Sequence, residues 1–414
     1  MTDCRGLFDH ELPLSEAVGR IVGTVRDGGD RELRRISGVL DGEPLAFIEV
    51  PKTEIDSAAD KLTASARSAL ENAAGRVRDF QTAAKPTGWT HTSGMYGEIV
   101  SPVQRVGAYV PGGTAPLAST VIMTVVPARV AGVNEVVLVT PAPGNAMPHP
   151  AVLAAAAIAG ADRVFKVGGA QAIAALAYGT ETIPKVDVVC GPGNIFVTTA
   201  KKHVYGDVGV DGLYGPTETL VIADDSADPA YTAADLLAQA EHDVLAMPVL
   251  VVTSHGIADA VEAELALQLQ KLDRVPIASS AIDNQGLTIV VNDVDEAIDV
   301  ANTFAPEHLC MMVRDAGQHV SKVQSAGGLF LGECSAEVMA DYVAGPSHVM
   351  PTGGTARFAS ALSVRHFLRV TPFLNLDEDT FLSLANDAAE LATLEGLGGH
   401  AGAAEIRRRR MLGE

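Results

Sequence analysis

Apolar side chains recur at three- and four-residue spacing among charged ones through residues 14 to 38 and 54 to 85, in the second stretch as Ala59, Leu62, Ala66 and Leu70. This spacing predicts two amphipathic helices, a helical lead-in to the chain. From Gly97 to Val110 the pattern turns extended, with β-branched and apolar residues around Pro102 and a turn-rich stop at Pro111, Gly112 and Gly113. Short runs that are apolar on both faces then alternate with helical segments. The first series places strands at Glu135 to Thr140, Arg163 to Val167 and Val186 to Cys190, with helices at 149 to 160, 170 to 178 and 194 to 204. The second places strands at Leu220 to Ala223, Val249 to Val252, Thr288 to Val291, Leu309 to Val313 and Leu329 to Leu331, with helices at 230 to 241, 256 to 270 and 294 to 303. Strands without a polar face, each followed by a helix, require parallel sheets covered on both sides by right-handed crossovers. The expected class is therefore α/β, with two Rossmann-like units and a cleft between them where the carboxyl ends of strands can hold a ligand. Residues 376 to 409 return to helix, and the Ala-rich 151 to 159 reads as a tightly packed crossover helix rather than a low-complexity linker.

Composition narrows the partners more than the fold. At 414 residues the chain exceeds one ordinary domain two- to threefold, so at least two cores are expected. A formal charge of -21 repels phosphate backbones and anionic lipid, which argues against nucleic acid and membrane surfaces. The one basic run, Arg407 to Arg410, falls where it complements a helix C-terminus. Cys4, Cys190, Cys310 and Cys334 are scattered without a CxxC pair, as packing residues in a reducing compartment would be. Acidic residues Asp3, Asp9, Glu11 and Glu16 interrupt any leader-like start, and the most apolar stretch, Val121 to Val139, is broken by Pro127, Arg129 and Glu135. A cytoplasmic location is expected.

The chain has no GxGxxG after a strand and no GxxxxGK[ST]. It has instead three Gly-rich strand-to-helix junctions: Val110-Pro-Gly-Gly113, Val167-Gly-Gly-Ala170 and Cys190-Gly-Pro-Gly-Asn194. Each lets backbone approach a ligand and aims helix N–H groups at a phosphate or carboxylate; one alone is ordinarily a tight turn, while three in one half of the chain point to a binding site. Gln239 and His242, three apart near a helix end, can share a metal ion, although such a pair is more often a plain surface feature. Glu307 and His308, entering a strand behind Pro306, are expected at an exposed strand start, where they could divide acid and base work or form a charged loop end. Asp341 and His348 bracket a loop set by Gly345 and Pro346, and Glu395-Gly-Leu-Gly-Gly-His400 is a second glycine-punctuated acid and histidine; a surface loop and a helix stop are the simpler accounts of these two.

At these blocks the sequence resembles the histidinol dehydrogenase family. VGAYVPGG, GGAQAIAALAYG, VDVVCGPGN, AQAEHD, APEHL, AGPSHVMPTGGTARF and LEGLGGHA occur in the family's order and spacing, from about residue 15 to about residue 409. The resemblance implies a homodimer with shared active sites, in which one zinc per subunit holds L-histidinol while two NAD oxidise the alcohol to aldehyde and then acid. It implies zinc ligands Gln239, His242, Asp341 and, from the partner chain, His400. It further implies His308 as the base, Glu307 as the activator of water, Tyr109, Gln171 and Asn194 lining the NAD site, and Thr217, His348 and Glu395 among the substrate contacts. The expected layout is a short segment 1–20, a discontinuous α/β domain 21–107 with 218–362, an NAD-side α/β domain 108–217, and a helical dimerisation segment 363–414. Thr217 stands where many members have Ser, and Ala340 where Gly is usual; neither removes a catalytic group. Two other readings stay open: the same chemistry on another polar alcohol, and a non-catalytic zinc- or nucleotide-binding regulator, which would have no use for the Glu307-His308 pair.

Overall fold

The lead-in helix α1 (Leu14–Asp41) forms as its periodicity requires, but Gly29, at φ 55° and ψ -141°, kinks it. The second predicted helix is split: α2 (Lys52–Asp56) and a 3-10 turn precede α3 (Ala64–Ala84), which starts afresh where the Thr63 hydroxyl accepts from the Ala66 N–H at 3.2 Å. This computed structural model describes residues 7–8, 12–112, 115–142 and 146–414, so Cys4 and Gly113 lie outside the described residues. The chain forms two compact units, Met1–Lys85 with Val103–Phe367, and Pro86–Pro102 with Leu368–Glu414.

In chain order the remaining elements are β1 (Trp89–Thr90), β2 (Tyr96–Pro102), β3 (Arg105–Tyr109), α4 (Ala118–Ala131), β4 (Glu135–Val139), α5 (Pro150–Ala159), β5 (Arg163–Phe165), α6 (Gly169–Tyr178), β6 (Val188–Cys190), α7 (Ile195–Val204) and β7 (Gly209–Val210). There follow β8 (Glu218–Ala223), α8 (Pro229–Ala240), β9 (Met247–Val252), α9 (His255–Leu269), α10 (Val275–Gln285), β10 (Leu287–Val290), α11 (Val294–Phe304), β11 (His308–Met312), β12 (Gly328–Leu331), α12 (Glu337–Tyr342), β13 (Leu368–Leu374), α13 (Glu378–Leu394) and α14 (Gly398–Leu412).

The larger unit holds two five-stranded, all-parallel sheets ordered β5-β4-β3-β6-β7 and β10-β9-β8-β11-β12. In each, the first strand has its next two neighbours on one side and the following two on the other. The chain order therefore reverses between β3 and β6, and again between β8 and β11. Val18, Ile21, Val25, Leu33 and Ile36 of α1 are buried with α6 and α7 on the first sheet. At about 1.5–3 kcal/mol for each such side chain, the lead-in belongs to that core and is no appendage. In the second sheet Leu220, Val249, Leu309 and Met311 face α11, while Val221, Leu250, Cys310 and Met312 face α8 and α9. By the two-residue period of β11, His308 shares the α8 face with Cys310. The crossover helix α4 escaped the pattern because it has no polar stripe; Thr120 to Ala128 are all buried.

The smaller unit is an antiparallel sheet β1-β2-β13 with α13 and α14. Its strand β13 pairs with β2 from Leu368↔Pro102 to Leu374↔Tyr96, a partnership no local pattern announces. Ala385 and Ala401 are buried in its helices, whereas Leu384, Leu391, Leu394, Leu397 and Ile406 are exposed.

Among the described residues no helix is long and apolar enough to cross a membrane. Cys190 and Cys310 are buried as packing residues; Cys334 is exposed, because it sits in the turn after β12 instead of on a sheet face.

Candidate active site

The sequence places Glu307 and His308 at an exposed strand start; the structure buries both, at 7% and 3% exposure. The reason is the sheet order. They enter β11 between β8 and β12, where His308 pairs with Thr219 and Gly328, and Phe330 stacks on the imidazole with ring centroids 5.8 Å apart. Both residues lie at the amino ends of their sheet, opposite to the carboxyl-end placement that the strand alternation suggests.

Around them the predicted residues converge. Gln239, in the last turn of α8, is buried, and His242 lies just past the helix end, where its N–H still bonds the Gln239 carbonyl at 3.1 Å. Asp341, on α12, has its Oδ1 3.5 Å from His308 Nε2. Thr217 Oγ1 lies 2.8 Å from Gln239 Oε1 and 2.6 Å from Glu307 Oε2. A hydroxyl carries one hydrogen, so it cannot donate to both oxygens; a protonated Glu307 donating to Thr217, which donates to Gln239, satisfies the chain. Burial supplies that proton: it raises the Glu307 carboxyl to about 7, against the opposing pull of His308 and the Thr217 hydroxyl. The methyl that distinguishes Thr217 from Ser leaves this bridge intact.

Two histidines are fixed by carbonyls, which can only accept. His308 Nδ1 is 3.1 Å from the Glu218 carbonyl and His348 Nδ1 is 2.8 Å from the Asp341 carbonyl, so in each ring Nδ1 carries hydrogen and Nε2 is the titrating atom. His348 Nε2 faces the Thr120 hydroxyl at 3.1 Å. Burial opposes charge on His308, but the carboxylates of Glu307, Glu337 and Asp341 outweigh it and lift the group to about 10. Burial likewise pushes Asp341 up, and His308 beside it more than reverses this, leaving Asp341 below the ordinary carboxylate range.

Sequence reasoning missed two acids behind this pair. Asp235 lies one turn before Gln239 on α8, and Glu337 one turn before Asp341 on α12. Both are buried, and Glu337 Oε2 accepts from Thr219 Oγ1 at 2.9 Å. Glu337 Oε1, Asp235 Oδ2 and His308 Nε2 are buried without a hydrogen-bond partner. The i, i+4 repeat of a polar residue on each site helix is the signal that could have found them. Burial raises Asp235 to about 6 and Glu337 to about 7.

A raised folded-state pKa means the folded protein holds the proton more tightly, so the associated stability is complete below the unfolded pKa and is lost as pH climbs through the folded one. For Glu307 and Glu337 that window runs from 4.5 to about 7, worth on the order of 3 kcal/mol each. The melting temperature of metal-free protein is therefore expected to fall between pH 5 and about 7.5, and Glu337→Gln to flatten the profile. A flat wild-type profile, or an unchanged slope in the variant, contradicts this account.

The glycine junctions, the first as far as Gly112, gather at the carboxyl end of the first sheet, at its switch point. Tyr109 ends β3, is buried, and its hydroxyl accepts from the Gly169 N–H at 3.2 Å. Gly191 follows β6 at φ 109°, and a Cβ there would lie 2.1 Å from the Tyr109 carbonyl oxygen, so only glycine fits. Asn194 caps α7, accepting from the Phe196 and Val197 N–H groups at 3.1 and 3.2 Å. Gln171, in the first turn of α6, is buried with Oε1 unpartnered. Glu395 and His400 belong to the smaller unit, where they flank the turn between α13 and α14 and are exposed. A cavity of about 640 Å³ between Phe330, Met339, Ala340 and Ser347 has none of Gln239, His242, Glu307 or His308 in its walls.

The sequence model of the histidinol dehydrogenase family matches residues 9–408. Histidinol dehydrogenase of Thermus thermophilus is 50% identical over 407 residues, 98% of this chain and 97% of its own length. That of Deinococcus radiodurans is 49% identical over 405 residues, covering 97% and 92% of the two chains. The crystal structure of histidinol dehydrogenase from Elizabethkingia anophelis superposes with a TM-score of 0.93 at 33% identity, over 97% of this chain and 94% of that one. On the fold, the converging site and these matches, the chain belongs to the histidinol dehydrogenase family and, with it, to the NAD-dependent oxidoreductases.

Proposed function

We propose that this chain oxidises L-histidinol to L-histidine through the bound aldehyde, reducing two NAD, at a zinc site completed by a second copy of the chain. The observation that carries the reading is the buried Glu307-His308 pair, linked through Thr217 to Gln239 and through His308 to Asp341.

The donor set suits zinc: Gln239 offers an amide oxygen, His242 an imidazole nitrogen and Asp341 a carboxylate held in its ionised form. Among the described residues no three His, Cys, Asp or Glu side chains form a ligating group, and this set contains only two of those types in one chain. It therefore calls for a further ligand, and His400 of the partner subunit is the proposed one. The nucleotide fits the other sheet, where Tyr109, Gln171 and Asn194 surround the switch-point crevice and the Gln171 amide oxygen waits buried without a partner. When bound, zinc supplies Lewis-acid polarisation of the alcohol oxygen and NAD the hydride acceptor.

His308 Nε2 takes the alcohol proton, since Nδ1 is committed to the Glu218 carbonyl. Glu307, titrating near neutrality, then takes a proton from water as it adds to the aldehyde, and His308, once it has released the first proton to solvent, takes that of the hydrate in the second oxidation. Burial of both groups keeps bulk water from the reactive aldehyde. His348, locked between Thr120 and the Asp341 carbonyl, and Glu395 are assigned to hold the substrate's polar ends.

The test is to count NADH formed per L-histidinol consumed, before and after chelation. Two NADH per substrate, lost on chelation and restored by zinc, supports the reading; folded, zinc-loaded protein that makes no NADH from histidinol overturns it in favour of another polar alcohol.

The exposed leucines of α13 and α14 support a dimer, because an isolated chain would leave them in water. If sites are shared, Asp341→Asn and His400→Asn are each inactive alone. Mixed in equal amounts and allowed to exchange subunits, they are expected to regain roughly a quarter of wild-type activity, since half the dimers are hybrids with one intact site of two. No recovery despite hybrid formation would place His400 outside its neighbour's site.

A further inference from the structure

Lys201 and Asp211 are a buried ion pair that the proposed chemistry does not use, at 1% and 0% side-chain exposure and 2.5 Å separation. Removing two charges from water is costly, and a well-packed apolar pair of similar volume often does as well for stability, so the pair calls for a reason beyond the core. Its hydrogen bonds supply one. Lys201 Nζ donates to the Gly191 carbonyl at 2.8 Å and lies 4.7 Å from the centre of the Tyr214 ring. Asp211 accepts from the Gly191 N–H at 2.7 Å and from the Gly212 N–H at 2.8 Å. Both polar groups of one glycine peptide position are thus held by one ion pair, and that glycine is the residue packed against the Tyr109 carbonyl at the β3/β6 crevice.

We infer that Lys201 and Asp211 are a positioning pair that holds the Gly191–Asn194 turn in its nucleotide-accepting shape before the nucleotide arrives. The pair ties the turn at both ends: Asp211 grips Gly191 at its start, and Lys201 rises from α7, the helix that Asn194 caps at the turn's finish. Beyond Asp211 the chain is pinned in sequence, with the Tyr214 carbonyl accepting from Thr198 Oγ1 at 2.6 Å and the Gly215 N–H donating to Thr352 Oγ1 at 2.5 Å, before it reaches Thr217. The histidinol side thus has an anchor on Thr352, away from α7 and the pair, and the two sides should respond differently when the pair is lost.

The inference rests on the NAD assignment of the preceding subsection, so the experiment separates the two. NAD binding is measured by calorimetry without substrate, for wild type, Asp211→Asn and the neutral double variant Lys201→Met/Asp211→Asn, alongside KM for histidinol and for NAD. Wild type that binds no NAD defeats the nucleotide assignment itself. With binding in wild type, the expectation is that NAD dissociation constant and KM rise about tenfold or more in the variants, while KM for histidinol at saturating NAD stays within about twofold. Unchanged NAD affinity in a folded variant, or equal losses on both substrates, overturns the positioning role. Should neither variant fold, the pair belongs to stability alone, which also overturns it.

Discussion

His308→Asn is expected to lower kcat for histidinol oxidation by about 10²- to 10⁴-fold, the range typical of a lost general base. Asparagine can keep the hydrogen bond that His308 Nδ1 gives to the Glu218 carbonyl, but it has no Nε2 to receive the alcohol proton. In the metal-free chain the surrounding carboxylates hold the imidazole protonated, with a pKa of about 10. The base is therefore competent only once Asp341 is engaged by a cation and its charge no longer favours imidazolium. The comparison with Glu307→Gln tells the steps apart. That variant keeps the Thr217 bridge yet cannot take a proton from water, so aldehyde is expected to build up and the yield to drop toward one NADH per histidinol. The measurement is steady-state rate and NADH stoichiometry on variants with wild-type circular dichroism. Wild-type turnover in His308→Asn would sink the acid–base assignment.

Asp341→Asn is the second large effect: zinc per subunit is expected to fall from one toward zero, and activity by more than about 100-fold, beyond the 10–100-fold usual for a residue one step removed from a metal. A structural acid and a ligand can be told apart here by zinc content measured beside stability. Asp341 raises the pKa of Asp235, Glu307 and Glu337, so in the metal-free protein its charge works against theirs. Neutralising it removes that repulsion, although His308 loses one of its partners. Because Asp341 is held below the ordinary carboxylate range, its charge is on balance favourable to the fold, and the metal-free variant is expected to melt somewhat lower than metal-free wild type at pH 8 as zinc and activity are lost. A variant that melts lower yet retains zinc would make Asp341 a structural residue. The arrangement fits a general pattern in which buried like charges are tolerated at a site because the bound ion resolves them.

Much of this molecule was legible in its residue order. The alternation of both-face apolar strands with helices determined the α/β class, because a parallel strand buried on two faces can have no polar period. The short blocks around Gln239, Glu307, Asp341, Gly191 and His400 determined the family and named the candidates for its reactive groups, since such groups must appear as particular residue types wherever the chain goes.

What the residues could not announce was which polar side chains end up inside. Asp235 and Glu337 look like ordinary helix-surface acids, and Lys201 and Asp211 like unrelated surface charges. Each became buried only when sheet order brought strands and helices from distant parts of the chain over it. The same order put Glu307 and His308 at the interior start of β11 instead of on an exposed loop, and joined β13 to β2 across the 265 residues that lie between Pro102 and Leu368. Hydrophobic periodicity reports only the face a segment turns to its immediate surroundings. Burial of a charge, its pKa and the reach of one reactive group to another depend on neighbours far apart in the chain, and those the tertiary structure alone decided.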